Sequence, residues 1–155
     1  MYYRDAREFF EAAREASRDA ERIRRQLDAM AERAEALGGG GFEPRVRSTG
    51  EPDRMGSRVA AMVDMEERLR ERQEGDYALV DAACRVLYGS ESDAGLWSIV
   101  GWPADALAHH YVNDLTYDAI GRMLGYSRSH VWHCAQDALR TCDELGLWRT
   151  ERGLA

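Results

Sequence analysis

Leu115–Leu139 reads LTYDAIGRMLGYSRSHVWHCAQDAL, and the fold is decided there. Thr116 can cap a helix through its hydroxyl, Ile120, Met123 and Leu124 give that helix an apolar face, and Gly125 stands where a left-handed residue ends it. Ser127 can then cap a second helix whose inward residues are Val131, Cys134 or Ala135, and Leu139. The turn between the two is about three residues, the length a helix-turn-helix requires. Gly121 falls on the inner face of the first helix, where a missing Cβ permits a close crossing; alanine is expected to fit there and leucine is not. An ordinary helical hairpin accounts less well for Gly121, Gly125 and Val131 at these spacings together with two cap residues.

Outward from this stretch the signals remain helical. Pro103 reads as the first position of a preceding helix with Leu107, Tyr111 and Val112 as its buried stripe and Asn113-Asp114 as its exit. Downstream, the second helix is expected to run through Cys142 to Leu145 and stop at Gly146, with Leu147 and Trp148 folding back. Near the N-terminus, Tyr2, Ala6, Phe9, Ala13, Ala16, Ala20, Ile23, Leu27, Met30, Ala34 and Leu37 keep spacings of three and four, a seam sustained over about five heptads. A helix with that seam exposed is not stable alone, so it needs a partner, either within the chain or in a second copy. A Gly/Pro-rich break, Gly38 to Gly56, precedes a second stripe, Met55, Val59, Met62, Val63 and Leu69. A separate helix carries Tyr77, Val80, Cys84 and Leu87 and ends before Gly89.

The expected fold is therefore all-α. A helical hairpin or coiled coil for self-association spans 1–88, with its linker at 38–56; a loop follows at 89–101, and a three-helix helix-turn-helix domain occupies 102–155. Trp97 and Trp102 flank Ile99 and Val100 and read as core anchors, since no basic residues interleave with them.

At the residue level the segment resembles the sigma factor region-four-like helix-turn-helix of small phage and mobile-element regulators, of the RinA and ArpU types. The resemblance rests on Tyr111, Leu115-Thr116-Tyr117, Ile120-Gly121, Leu124-Gly125-Tyr126-Ser127, Val131 and Ala138-Leu139. It implies sequence-specific binding of double-stranded DNA by the helix after Ser127, in a regulator of phage or prophage genes. A complete sigma factor would need a further large domain, so an accessory regulator is implied.

Charge weighs against that implication. The chain has 21 basic and 28 acidic residues, a formal net of −7, whereas DNA binders usually present a basic face. His109 to Ala155 holds five arginines and six acids and is about neutral, while Gln73 to Ala108 has one arginine and six acids. A single copy is thus expected to bind weakly, which points to a homodimer or to a contact with RNA polymerase. Arg45, Arg47, Arg54 and Arg58 give the Arg45–Arg58 loop a net of +2, which reads as a linker. The arginine and glutamate alternation at Arg14-Glu15, Arg18 to Glu21 and Arg22 to Arg25 reads as a solvated helix surface.

Other chemistries find little in the sequence. No phosphate loop or nucleophile elbow appears, and the carboxylates are spread rather than paired, so the chain does not read as an enzyme. Cys84, Cys134 and Cys142 read as reduced thiols. His130, His133 and Cys134 fall within one turn but lack the paired spacing of a metal site, and no cofactor is expected. No run approaches the ~20 apolar residues of a membrane span and the first residues are charged, so a cytoplasmic protein without membrane contact is expected. The residues expected to meet DNA are Arg122, Ser127, Arg128, Ser129, His130, Trp132, His133, Gln136 and Arg140, with Gln136 suited to adenine and Arg128 to guanine or phosphate. Trp132 is as consistent with core as with surface. The competing reading is a DNA-packaging protein like a terminase small subunit, or a protein-protein interaction module.

Overall fold

The computed structural model describes residues 3–38 and 54–151. Among them the fold is all-α, with no strand; Gly89 and Ala94 form an isolated bridge. The helices are α1 (Ala6–Gly38), α2 (Arg54–Tyr88), α3 (Trp97–Val100), α4 (Trp102–Leu107), α5 (Tyr117–Leu124), α6 (Arg128–Leu145) and α7 (Leu147–Glu151). A π turn, Ala108–Val112, prolongs α4. No described helix is long and apolar enough to cross a membrane.

The chain divides into two compact units, Met1–Asp19 with Asp76–Ala155, and Ala20–Gly75. These limits differ from the spans expected from the sequence, because the start of α1 belongs with the helix-turn-helix. The reason is its aromatic content. Phe9 and Phe10 have no exposed surface; the Phe9 ring stacks on Trp148 (6.4 Å, 26°) and Phe10 packs on Tyr111 (5.6 Å). Leu87, Leu96, Leu107, Leu139 and Cys142 complete this core. Asp5 opens α1 by accepting the Glu8 amide (2.8 Å), and Asp143 of α6 accepts the Ala6 amide (2.6 Å).

Three expectations change here. The two helices expected from Met55 to Leu69 and from Tyr77 to Tyr88 are one, α2, which runs through Gly75. Gly75 has nothing within 4 Å of a built Cβ, and an exposed glycine inside a helix costs only about 1 kcal/mol, too little to break a helix flanked by glutamate, arginine and glutamine. Second, α2 begins at Arg54, so Arg58 lies in a helix and not in a linker; Arg45 and Arg47 fall outside the described residues. Third, Trp97 is half exposed and donates to Asp105 (3.3 Å), while Trp102 is half-buried; Leu96 holds the core position instead.

In the unit Ala20–Gly75, Ala20, Ile23 and Leu69 are buried, and Gln73 Nε2 donates to the Ala20 carbonyl (3.3 Å). The seam of α1 is thus buried within one chain from Ala6 to Ile23, which leaves that part unavailable to a second copy. Tyr2, Leu37 and the turn after Gly38 fall outside the described side chains.

Candidate nucleic-acid interface

The helix-turn-helix forms where the spacing placed it. Thr116 Oγ1 accepts the Ala119 amide (3.1 Å) to open α5, and Ser127 Oγ accepts the His130 amide (3.1 Å) to open α6. Between them Gly125 is left-handed (φ 80°), and both its amide and that of Tyr126 donate to the Gly121 carbonyl at 2.9 Å. Ile120, Val131 and Ala106 make a small core under the turn. Gly121 is tighter than its sequence suggests. A Cβ there would lie 2.5 Å from the Tyr126 carbonyl oxygen, so alanine does not fit, because the obstacle is backbone rather than a movable side chain. Gly146, also left-handed (φ 62°), ends α6, and Trp148 folds back into the core as expected.

Of α6, Val131, Ala135, Ala138, Leu139 and Cys142 are buried. Burial pushes the Cys142 thiol up to about 12, so it behaves as an inert core residue. Ser127, Arg128, Ser129, His130, Trp132 and His133 are exposed together at the start of α6 and the turn before it. Trp132 is a surface residue, 44% exposed, edge-on to the His133 ring (5.0 Å). His130 lies against Tyr126 (5.1 Å), which in turn stacks on Trp102 (4.6 Å, 15°), and its ring is 3.7 Å from Cys134 Sγ. Arg128 has no ion pair or hydrogen bond among the described residues. It borders an open hollow of about 450 Å³ with Arg14, His110, Thr116, Tyr117 and Asp118.

The remaining expected contacts are otherwise engaged. Arg122 pairs with Asp118 and Arg140 with Asp137 (3.2 Å), both at the surface where such pairs are weak and exchangeable. Gln136 is turned towards α1, where its carbonyl oxygen accepts from Arg7 and its buried amide nitrogen has no hydrogen-bond partner. It is a helix-packing residue in this arrangement. Its place on α6 follows from helical geometry, but α1 along that flank is more than a hundred residues away in sequence.

A clamp at the approach to α5 was not legible either. Asp114 is a non-glycine residue in the left-handed region (φ 58°), a conformation aspartate tolerates better than most residues. Two arginines of α1 grip its carboxylate: Arg14 Nε at 2.7 Å, and Arg18 through Nε and an amino nitrogen, each at 2.9 Å. These hydrogen bonds, from Arg18 foremost, hold the Asp114 carboxyl below the usual carboxylate range. Ser17 Oγ donates to the Val112 carbonyl (2.7 Å) beside it. The solvated reading of Arg14 and Arg18 is therefore corrected: they are tertiary contacts whose partner lies about a hundred positions on. The signal available was that Arg14, Ser17 and Arg18 share one helical face.

His110 joins this clamp. Its Nδ1 faces the Leu115 carbonyl oxygen (2.8 Å) and must donate, which leaves Nε2 to accept from Arg14 (3.3 Å), and its ring stacks on Tyr117 (4.0 Å). Burial, chiefly, pushes its pKa below the ordinary histidine value, in keeping with a neutral ring. His109 instead meets Asn113 (3.3 Å).

Comparison with family models, curated proteins and solved structures finds no match to this chain. The geometry alone carries the functional reading.

Proposed function

We propose that the protein is a sequence-specific transcriptional regulator that binds double-stranded DNA, with the start of α6 in the major groove. The observation that carries this reading is the turn itself. An eight-residue helix with a hydroxyl cap ends in a left-handed glycine, and an eighteen-residue helix with its own hydroxyl cap starts three positions after Leu124's neighbouring turn. Polar and aromatic side chains crowd the exposed first turns of that second helix, and Arg128 among them has no competing partner. Arg14 and Arg128 on the walls of the neighbouring hollow suit a phosphate, which accepts from guanidinium groups. The resemblance to phage and mobile-element regulators makes phage or prophage genes the expected targets. A domain so nearly neutral gains useful affinity from a second copy or from RNA polymerase.

Selection of duplexes from a random library by the full chain tests the proposal. A consensus is expected. Arg128→Ala then weakens binding to the selected duplex by about 1–3 kcal/mol, with helicity unchanged by circular dichroism. Failure to enrich any duplex, or equal binding by Arg128→Ala and Arg128→Glu, refutes the assignment.

A further inference from the structure

In the unit Ala20–Gly75 the cover of both helices fails in one direction. On α1, Ala20 and Ile23 are buried, Leu27 and Met30 are half-buried, and Ala34 is exposed. On α2, Leu69 is buried, whereas Val59, Met62, Val63 and Met65 stand 58, 45, 48 and 46% exposed. Val59, Met62 and Val63 follow the three-and-four spacing of one helical stripe, and Met65 borders it. Two helices alone give each seam a single neighbour, while helices in a bundle have at least two.

Charge identifies what covers this stripe. Ala20 to Ala36 holds four arginines and four acids, and Gly56 to Gly75 holds four arginines and five, so the unit is nearly neutral and identical copies meet little repulsion. The signs are segregated along α2. Arg58 precedes the centre of the stripe, and Asp64, Glu66 and Glu67 follow it. A wholly acidic or wholly basic partner would suit only one end, whereas an inverted copy of the same stripe suits both.

We infer that this stripe is an isologous dimer surface on which two copies pair antiparallel about a twofold axis at Met62. In that register Arg58 lies opposite the partner subunit's Glu66, and Val59 opposite the partner subunit's Met65. Parallel pairing would set Arg58 against its own copy. A stable interface buries on the order of 800 Å² per partner, more than four side chains supply. Leu27, Met30 and Ala34 of α1 therefore join the contact, and the product is a four-helix packing of two hairpins. The pairing stands on this unit alone, independently of what α6 binds, and it is measured without DNA.

Sedimentation of the full chain at micromolar concentration is expected to give twice its 17.6 kDa mass. Met62→Arg, at an exposed position, is expected to weaken the dimer at least about tenfold without loss of helicity. Arg58→Glu and Glu66→Arg each weaken it several-fold, and the two together restore it. With Cys84 and Cys134 changed to serine, the Met62→Cys variant is expected to link to its copy under mild oxidation, since a twofold axis brings the two thiols together. A monomer at every concentration overturns the inference. So does a dimer that Met62→Arg leaves intact, or a double swap no better than either single one.

Discussion

The two halves of α1 carry one continuous apolar seam, and the halves meet different fates. Ala6, Phe9 and Ala13 are sealed in a core with Tyr111 and Trp148, whereas Met30 and Ala34, on the same seam farther along, are half-buried and exposed. Spacing is common to both halves; side-chain size and opposing surface are not. The first half brings two phenylalanines, each able to bury a large area, while the second offers mainly alanine with single leucine and methionine residues. Periodicity thus identifies the inward face of a helix without saying what lies across from it.

Truncation gives the largest test of this contrast. Phe9→Ala is expected to cost about 3–5 kcal/mol in urea-induced unfolding, against less than about 1 kcal/mol for Met30→Ala in a single chain. Comparable losses at the two sites would mean that the seam is buried equally along its length. Glycine substitutions give the next largest effect and opposite signs. Gly121→Ala forces a Cβ onto the Tyr126 carbonyl and is expected to cost about 1–3 kcal/mol, whereas Gly75→Ala, with open space around it, is expected to stabilise by about 0.5–1 kcal/mol. A Gly75→Ala variant less stable than the parent would show that α2 bends at its unit boundary.

The smallest effect is in pH. His110 has a folded-state pKa below its unfolded value, so the unfolded chain takes up the proton first and the contribution is full above about pH 6.5. Thermal stability should therefore fall as pH drops from 7 towards 5, and His110→Gln should flatten part of that slope. Ala20–Gly75 contains no histidine and adds none of it. An unchanged slope in His110→Gln would remove the ring from the clamp.

What the sequence made legible was local. Thr116, Ser127, Gly125 and Gly146 act on backbone groups within a few residues, so their spacing specified both helices of the motif and the turn between them. What stayed hidden required contacts across long separations. Gln136 has the chemistry of an adenine reader, yet its orientation towards Arg7 depends on where α1 lies. Arg14 and Arg18 look like ordinary surface charges until Asp114 is folded beneath them. The continuity of α2 failed for another reason, since one glycine was weighed as a breaker although its helical cost is small beside the good helix formers around it.

The π turn after α4 has a consequence for how the chain tolerates change. Its defining bond runs from the Asn113 amide to the Ala108 carbonyl (3.1 Å), five residues apart, so the turn accommodates one residue more than regular winding would. Removing any one residue from Ala108–Val112 would let the turn rewind as ordinary α-helix and would rotate everything after it by about 100°. Point substitutions on this stretch leave that phase intact. A single-residue deletion would swing Asp114 away from Arg14 and Arg18 and carry the Thr116 cap out of line, which makes length, more than composition, the inherited constraint on this segment.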